Sequence, residues 1–264
     1  MSTAAVGQQL RRWRERRHLS QLELAARADV STRHVSFVEN GRSRPTPDMI
    51  LRLAEQLDVP LRDRNTLLVA GGFAPAYPER PLTASSMAMV SDAVMAILEA
   101  HQPFPALVVD RQWDLVSANA AVYALLSGVA APLLEPPVNV IRLTLHPDGL
   151  STRIVNLPEW RAHLLDRLGR EYASSADASL AALREEVAAY PTANGGRTDQ
   201  DGGGLVVPMR LRVGDDVLSM FNMTTVFGTP HEVTVSELAI ETFYPADDDT
   251  ARVLRTLGSA PGHP

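Results

Sequence analysis

Cysteine does not occur among the 264 residues, which excludes disulfides, thiolate metal centres and a cysteine nucleophile. Lysine is missing too, so all 25 basic residues are arginine. We attach no mechanistic weight to that bias. No run of about eighteen apolar residues occurs, and the N-terminal stretch lacks the apolar segment of a signal peptide. The expectation is a soluble, cytoplasmic protein with no membrane role. Common catalytic motifs are also missing: there is no G-x-S-x-G, H-E-x-x-H, phosphate-binding loop or G-x-G-x-x-G. His146 and Asp148 in HPDG can be drawn as an acid–base pair, but a turn built on Pro147, Asp148 and Gly149 accounts for them fully. A non-enzyme without cofactor or metal is expected.

What is present is unevenly arranged. The formal net charge is −6, yet residues 1–72 hold twelve arginines against eight acidic residues, and the remainder thirteen against twenty-three. A module of +4 therefore precedes a body of −10, which suits a protein that meets phosphate with one end only. Within the basic part, Ser20 to Arg42 has the layout of a helix-turn-helix. Ser20 followed by Glu23 is a capping-box pairing. A break falls at Asp29-Val30, and a second helix opens at Ser31-Thr32 and stops at Gly41. Val35 and Val38 are spaced to face a core, leaving Thr32, Arg33, Ser36 and Phe37 on other faces. Such a helix can lie in the DNA major groove. Further helices are expected at about 6–16, 47–57 and 61–70.

The landmarks Ser20-Gln21, Glu23-Leu24-Ala25-Ala26, Val30-Ser31 and Val38-Glu39-Asn40-Gly41-Arg42, continued by LAEQLDVP, resemble the phage-repressor-like (XRE-type) helix-turn-helix regulators. This implies an all-α, five-helix, lambda-repressor-like DNA-binding domain over residues 1–72. By the same resemblance, the Gln21 amide contacts a phosphate. Thr32 and Arg33 stand at base-reading positions, with His34, Ser36, Phe37 and Asn40 along the same helix and its exit. An arginine paired bidentately with guanine discriminates by roughly 1–3 kcal/mol; for Arg33 a phosphate-only contact is the alternative. Phe37 either meets a thymine methyl or packs under the following loop. Arg42 and Arg44 are expected to clamp backbone phosphates.

After a proline-rich connector at 73–85, residues 86–258 read as a second domain, with a disordered tail at 259–264. Its opening helix, Ser86 to His101, carries one apolar stripe. Strands are expected at 106–110 and 113–117, then an Asn119-capped helix through Leu126. Helices at 156–172 and 177–190 follow, then a polar loop at 191–204 and closing strands at 205–213, 216–226 and 232–244. IRLTLH, from Ile141 to His146, has a strand-like texture. Strands, helices and a final antiparallel run imply an α+β sensor domain. PFPALVVDRQWDLVSANAA, HPDGL, NLPEW, HLLDRL and ELAIETFYPAD resemble the PAS-like ligand-binding domain of MmyB-type regulators, and Arg33-His34, Ser36-Phe37, Glu39 and GRSRP also fit that group. The implied protein is a transcription regulator of the bacterial nucleoid whose second domain takes an apolar or amphiphilic effector, a fatty acid or similar. The alternative is a DNA-binding protein whose second domain is a protein-docking or dimerisation module.

The expected pocket walls are Phe104, Trp113, Trp160, Leu164 and inward members of the closing strands, drawn from Met209, Phe221, Met223 and Phe243. Arg142, His146 or His163 would meet a polar end. For Arg142 and His146 a surface ion pair is the alternative, and for His163 a hydrogen-bonded core position. Double-stranded operator DNA and a second copy of the chain are the expected partners, the helix at 86–101 contributing to the dimer surface or, alternatively, packing on its own sheet, and the 73–85 connector coupling effector to DNA.

Overall fold

The computed structural model describes residues 3–191 and 206–258. Residues 192–204 of the expected loop, Leu205 of the next expected strand and the tail at 259–264 lie outside the described residues. Residues through Arg80, together with Thr229–Ser236, make one compact unit; Pro81–Gly228 and the chain from Glu237 make a second.

In the first unit, α1 (Thr3–Arg16) buries Val6, Leu10 and Trp13. α2 (Gln21–Arg27) starts at the expected capping box: the Glu23 amide donates to Ser20 Oγ at 3.1 Å, and the Ser20 amide to Glu23 Oε2 at 2.7 Å. Asp29 turns the chain at φ 53°, a left-handed conformation that Asp tolerates better than branched residues do. α3 (Thr32–Glu39) is capped by Ser31, whose Oγ accepts from the His34 amide at 3.1 Å. Val35 and Val38 are its buried stripe. A Cβ on Gly7 would lie 2.1 Å from the Val38 carbonyl oxygen, so α1 can approach α3 this closely only through glycine. α4 (Pro47–Gln56) begins at Thr46 with proline in its first turn and buries Ile50, Leu53 and Ala54. α5 (Leu61–Ala70) adds Leu67 and Leu68.

The second unit opens with α6 (Ala88–Ala100), followed by β1 (Ala106–Val109), β2 (Leu115–Ala118), α7 (Ala120–Leu125), α8 (Val140–Leu145), α9 (Leu157–Ser175) and α10 (Ala178–Ala188). β3 (Met209–Val213), β4 (Asp216–Val226), α11 (Val233–Ser236), β5 (Ala239–Pro245) and α12 (Asp248–Gly258) complete it, α11 excepted. The strands form an antiparallel sheet in the order β2-β1-β5-β4-β3. One face packs Ala106, Val108 and Ile240 against Val94 and Leu98 of α6. The other carries Leu107, Val109, Leu211, Leu218 and Met220 into the main core with α7 to α10 and Leu254 of α12. Asn119 caps α7 as expected and also stitches the sheet's end: its Oδ1 accepts from Ala106, and its Nδ2 donates to the carbonyls of Leu98 and Phe104.

Several elements depart from expectation. The strand-like IRLTLH is instead α8, started by Asn139, whose Oδ1 accepts from the Arg142 amide at 3.2 Å. Ile141, Leu143, Thr144 and Leu145 are all buried, so burial leaves no one-sided pattern to betray the helix. The strand expected from 232 begins only at Ala239, because Glu232 Oε2 accepts from the Val235 amide and starts α11 across the β-branched V-T-V. β2 begins at Leu115 instead of Trp113: Asp110 Oδ1 accepts from the amides of Gln112 and Asp114, and Trp113 has φ 68°. α12, capped by Asp247, was not anticipated as a helix. No helix among the described residues is long and apolar enough to cross a membrane.

Candidate functional site

The helix-turn-helix presents a graded surface. Arg33, Asn40, Arg42 and Arg44 are exposed; Thr32, His34, Ser36 and Phe37 are half-buried. The Arg33 guanidinium lies 5.1 Å over the Phe37 ring, so the arginine is aligned along the helix. Arg44 lies over Phe73 at 5.7 Å. Asn40 Nδ2 donates to Ser36 Oγ at 3.3 Å.

Gln21 is placed differently from an outward phosphate contact. Its side-chain amide donates to Glu39 Oε2 at 2.8 Å. Glu39 is buried and pairs with the buried Arg14, Nε to Oε1 at 2.6 Å and NH2 to Oε2 at 2.9 Å. The same arginine donates to the Leu19 carbonyl. This triad joins α1, α2 and the end of α3, and sequence reading singled out none of it as an ion pair.

In the second unit a cavity of about 80 Å³ lies between the inward sheet face and α7 to α9. Trp113, Trp160, Leu164, Met209 and Phe243 line it, five of the expected wall residues. Phe104 packs beside the core without lining the cavity. Phe221 and Met223 occupy the wrong parity of β4: Met220 and Asn222 face inward, while Phe221 stacks on Tyr244 at 5.6 Å and Met223 is 54% exposed. Alternation along a strand makes this a choice between two faces, which only the register settles.

The groups expected at the polar end stand elsewhere. Arg142 makes a bidentate pair with Glu186, both contacts 2.8 Å, and Tyr190 donates to the same carboxylate at 2.6 Å. That guanidinium holds the Glu186 carboxyl below its usual range, while burial and the Glu186 hydrogen bond push the Tyr190 hydroxyl up to about 12. His146 Nδ1 accepts from the Asp148 amide, and its ring meets Tyr190 edge-on. The HPDG segment is thus a turn. His163 stacks on Trp160 at 5.2 Å and 26°, beside a shallow pocket shared with Arg167, Arg170, Glu171, Asn222 and Thr224. Burial, then the nearby Arg167 and Arg170, lower its pKa below the ordinary value.

The polar end of the cavity is Arg167, Asn222 and Glu241, which sequence reading missed. Glu241 is 2% exposed. It accepts from Arg167 NH2 at 2.6 Å and NH1 at 3.0 Å, and from Asn222 Nδ2 at 2.8 Å. Arg167 also reaches Glu171 at 3.0 Å and lies 4.4 Å over the Trp113 ring, whose Nε1 donates to Glu171 at 2.8 Å. Burial alone would lower the Arg167 pKa; the hydrogen bonds and charges of Glu241 and Glu171 outweigh it and raise the value. A glutamate inside an apolar strand such as ELAIETFYP was the available signal. Among the described residues no His, Asp and Glu cluster suited to a metal is found.

Residues 90–257 match the family profile described as MmyB-like transcription regulator ligand binding domain, and residues 10–63 match Helix-turn-helix. RghRB of Bacillus subtilis (strain 168), an uncharacterized HTH-type transcriptional regulator, is 40% identical over 80 residues. The match takes in 30% of this chain and 55% of that protein, so the chain spans about half the length of this relative. A solved structure of an RNA-binding light-oxygen-voltage receptor aligns over 97% of this chain and 62% of its own, with 14% identity and a TM-score of 0.27.

Proposed function

The chain belongs to the MmyB-like transcription regulator ligand binding domain family, and from that premise we propose how this DNA-binding regulator reads DNA and senses its effector. Its second domain is PAS-like in element order. α3 enters the major groove, Thr32 and Arg33 read base edges, and Arg42 and Arg44 hold phosphates. Gln21, held by Glu39, orients the start of α2 beside that surface.

The effector is a small apolar molecule held in the cavity bounded by Trp113, Trp160, Leu164 and the inward sheet face. Sites for drug-sized ligands enclose about 300–1,000 Å³. The cavity of about 80 Å³ favours a compact molecule over the long-chain fatty acid first expected.

The observation that carries this reading is the path of the chain. Asn222 on β4 and Glu241 on β5 belong to the cavity's polar end. The connector between those strands, Thr229–Ser236, belongs to the compact unit of the helix-turn-helix. There the Val233 amide donates to the Pro78 carbonyl at 2.9 Å, and Glu232 Oε1 accepts from the Arg80 amide at 2.6 Å. A shift of β4 against β5 is therefore transmitted covalently into the DNA-binding unit, in addition to the 73–85 connector. An effector acts only so far as it binds one arrangement better than the other.

The regulator works as a homodimer at two half-sites, with the exposed Met89 and Ile97 of α6 on its self-association face. The test is fluorescence anisotropy of full-length protein on DNA upstream of its own gene. Affinity should fall steeply with salt, and Arg33→Ala should lower the preference over random DNA by about tenfold. Equal affinity for promoter and random DNA overturns the base-reading assignment. A strict monomer on DNA by light scattering overturns the dimer.

A further inference from the structure

We propose that the cavity selects an uncharged, compact apolar molecule carrying one hydrogen-bond acceptor, received by the indole N–H of Trp160, and that it rejects carboxylates. This rests on the reading of the cavity as the effector site.

The first observation is electrostatic. Arg167 and Glu241 are the only charged residues lining the cavity among the described residues. Arg167 is already engaged by Glu241 and Glu171, so one guanidinium faces two carboxylates and the cluster carries a net −1. A ligand carboxylate would have to prise Glu241 from the arginine or be buried beside it. Either arrangement sets like charges together out of water, which strongly disfavours both ionised forms. The neighbouring cations do not change the balance. Arg170 is paired with Asp166, and His163 is biased to its neutral form.

The second observation is a buried donor. Trp160 is 3% exposed and lines the cavity, yet its Nε1 meets no acceptor among the described residues. Thr144, which also lines the cavity, already spends its hydroxyl on the Val140 carbonyl at 2.7 Å. A buried donor left without a partner is destabilising, so a ligand oxygen that meets it gains more than a hydrocarbon of equal shape. A ketone, lactone, ether or amide oxygen meets this need without adding charge.

The test uses ¹⁵N-labelled full-length protein and three five-membered-ring probes that differ in one group: cyclopentanone, methylcyclopentane and cyclopentanecarboxylate. The readouts are the indole N–H resonances, with Trp160 assigned by its loss in Trp160→Phe, and the methyl resonances of Leu164, Met209 and Met220. Cyclopentanone should move the Trp160 indole proton downfield and saturably. Methylcyclopentane should perturb the methyls without that shift, and cyclopentanecarboxylate should bind at least about tenfold more weakly than the ketone. Trp160→Phe should weaken cyclopentanone relative to methylcyclopentane by about 2- to 10-fold, the value of one neutral hydrogen bond. Should that variant not fold, Trp160 is assigned from nuclear Overhauser contacts to the His163 ring stacked on it, and the wild-type indole shift decides. Carboxylate binding as tight as the ketone, or ketone binding without an indole shift, overturns the inference and leaves the cavity an effector site. If no probe perturbs any lining residue, the effector-site reading itself fails.

Discussion

Removing the Glu39 carboxylate should unlatch the DNA-binding unit more than any single apolar truncation on its surface. Glu39 is 4% exposed and Arg14 8%. Breaking such a buried pair from one side costs about 3–5 kcal/mol, because the remaining charge is desolvated and unpaired. Glu15 lies 3.9 Å from Arg14 NH2 but is half exposed, so it offsets little. The Leu19 carbonyl still accepts one of the arginine's hydrogen bonds, which places Glu39→Ala near 3 kcal/mol, the low end of that range. At about 1.4 kcal/mol per tenfold, amide exchange across α1 and α3 of the full-length chain should accelerate roughly 100-fold. Gln21 loses its acceptor in the same variant, so operator affinity should fall with it. Replacing both partners, Arg14→Met with Glu39→Leu, should restore most of the protection, since an apolar pair of similar volume leaves no orphaned charge. An acceleration below about tenfold for Glu39→Ala, or a double variant no better protected than the single one, would refute this account.

Gly7→Ala should destabilise the same unit and slow DNA association, because its Cβ would land 2.1 Å from the Val38 carbonyl and push α1 off α3; exchange at Val35 and Val38 checks it. Asn119→Ala should lower the melting temperature of the second unit with a loss of about 3 kcal/mol, as two buried amides and two carbonyls lose their partner, and Asn119→Asp should cost at least as much, because it keeps the two amide contacts but turns a buried carboxylate oxygen onto the Leu98 and Phe104 carbonyls. For His163, whose folded pKa lies below the ordinary 6.5, the stabilising contribution is complete above that value and is lost as pH falls from it through the lowered one. A melting series from about pH 7.5 to about pH 5 should therefore slope less on its acid side in His163→Gln than in the parent chain; identical slopes remove the titration from consideration.

The sequence by itself determined whatever depends on neighbours within a few positions. Ser20 with Glu23, Ser31, Thr46 and Asn119 are caps whose side chains reach amides three residues on, so they mark helix starts without any tertiary contact. The +4 module, the Val35 and Val38 stripe and the expected strand at 216–226 are legible for the same reason. Contacts across long separations are not. Arg167 and Glu241 are 74 positions apart, Arg14 and Glu39 25; the apolar strand around Glu241 hints at its burial, but nothing local names the partner of either glutamate. The strand at 216–226 shows two alternating sets, and only its pairing with β3 and β5 turned Met220 and Asn222 inward and Phe221 and Met223 away. Ile141 to Leu145 read as a strand because burial from several sides erases helical periodicity, and the V-T-V of α11 did so because β-branched propensity is weaker than the Glu232 cap. Tertiary structure alone decided that α11 leaves the sheet to join the DNA-binding unit, since that depends on amides and carbonyls of Pro78 and Arg80 more than 150 residues away.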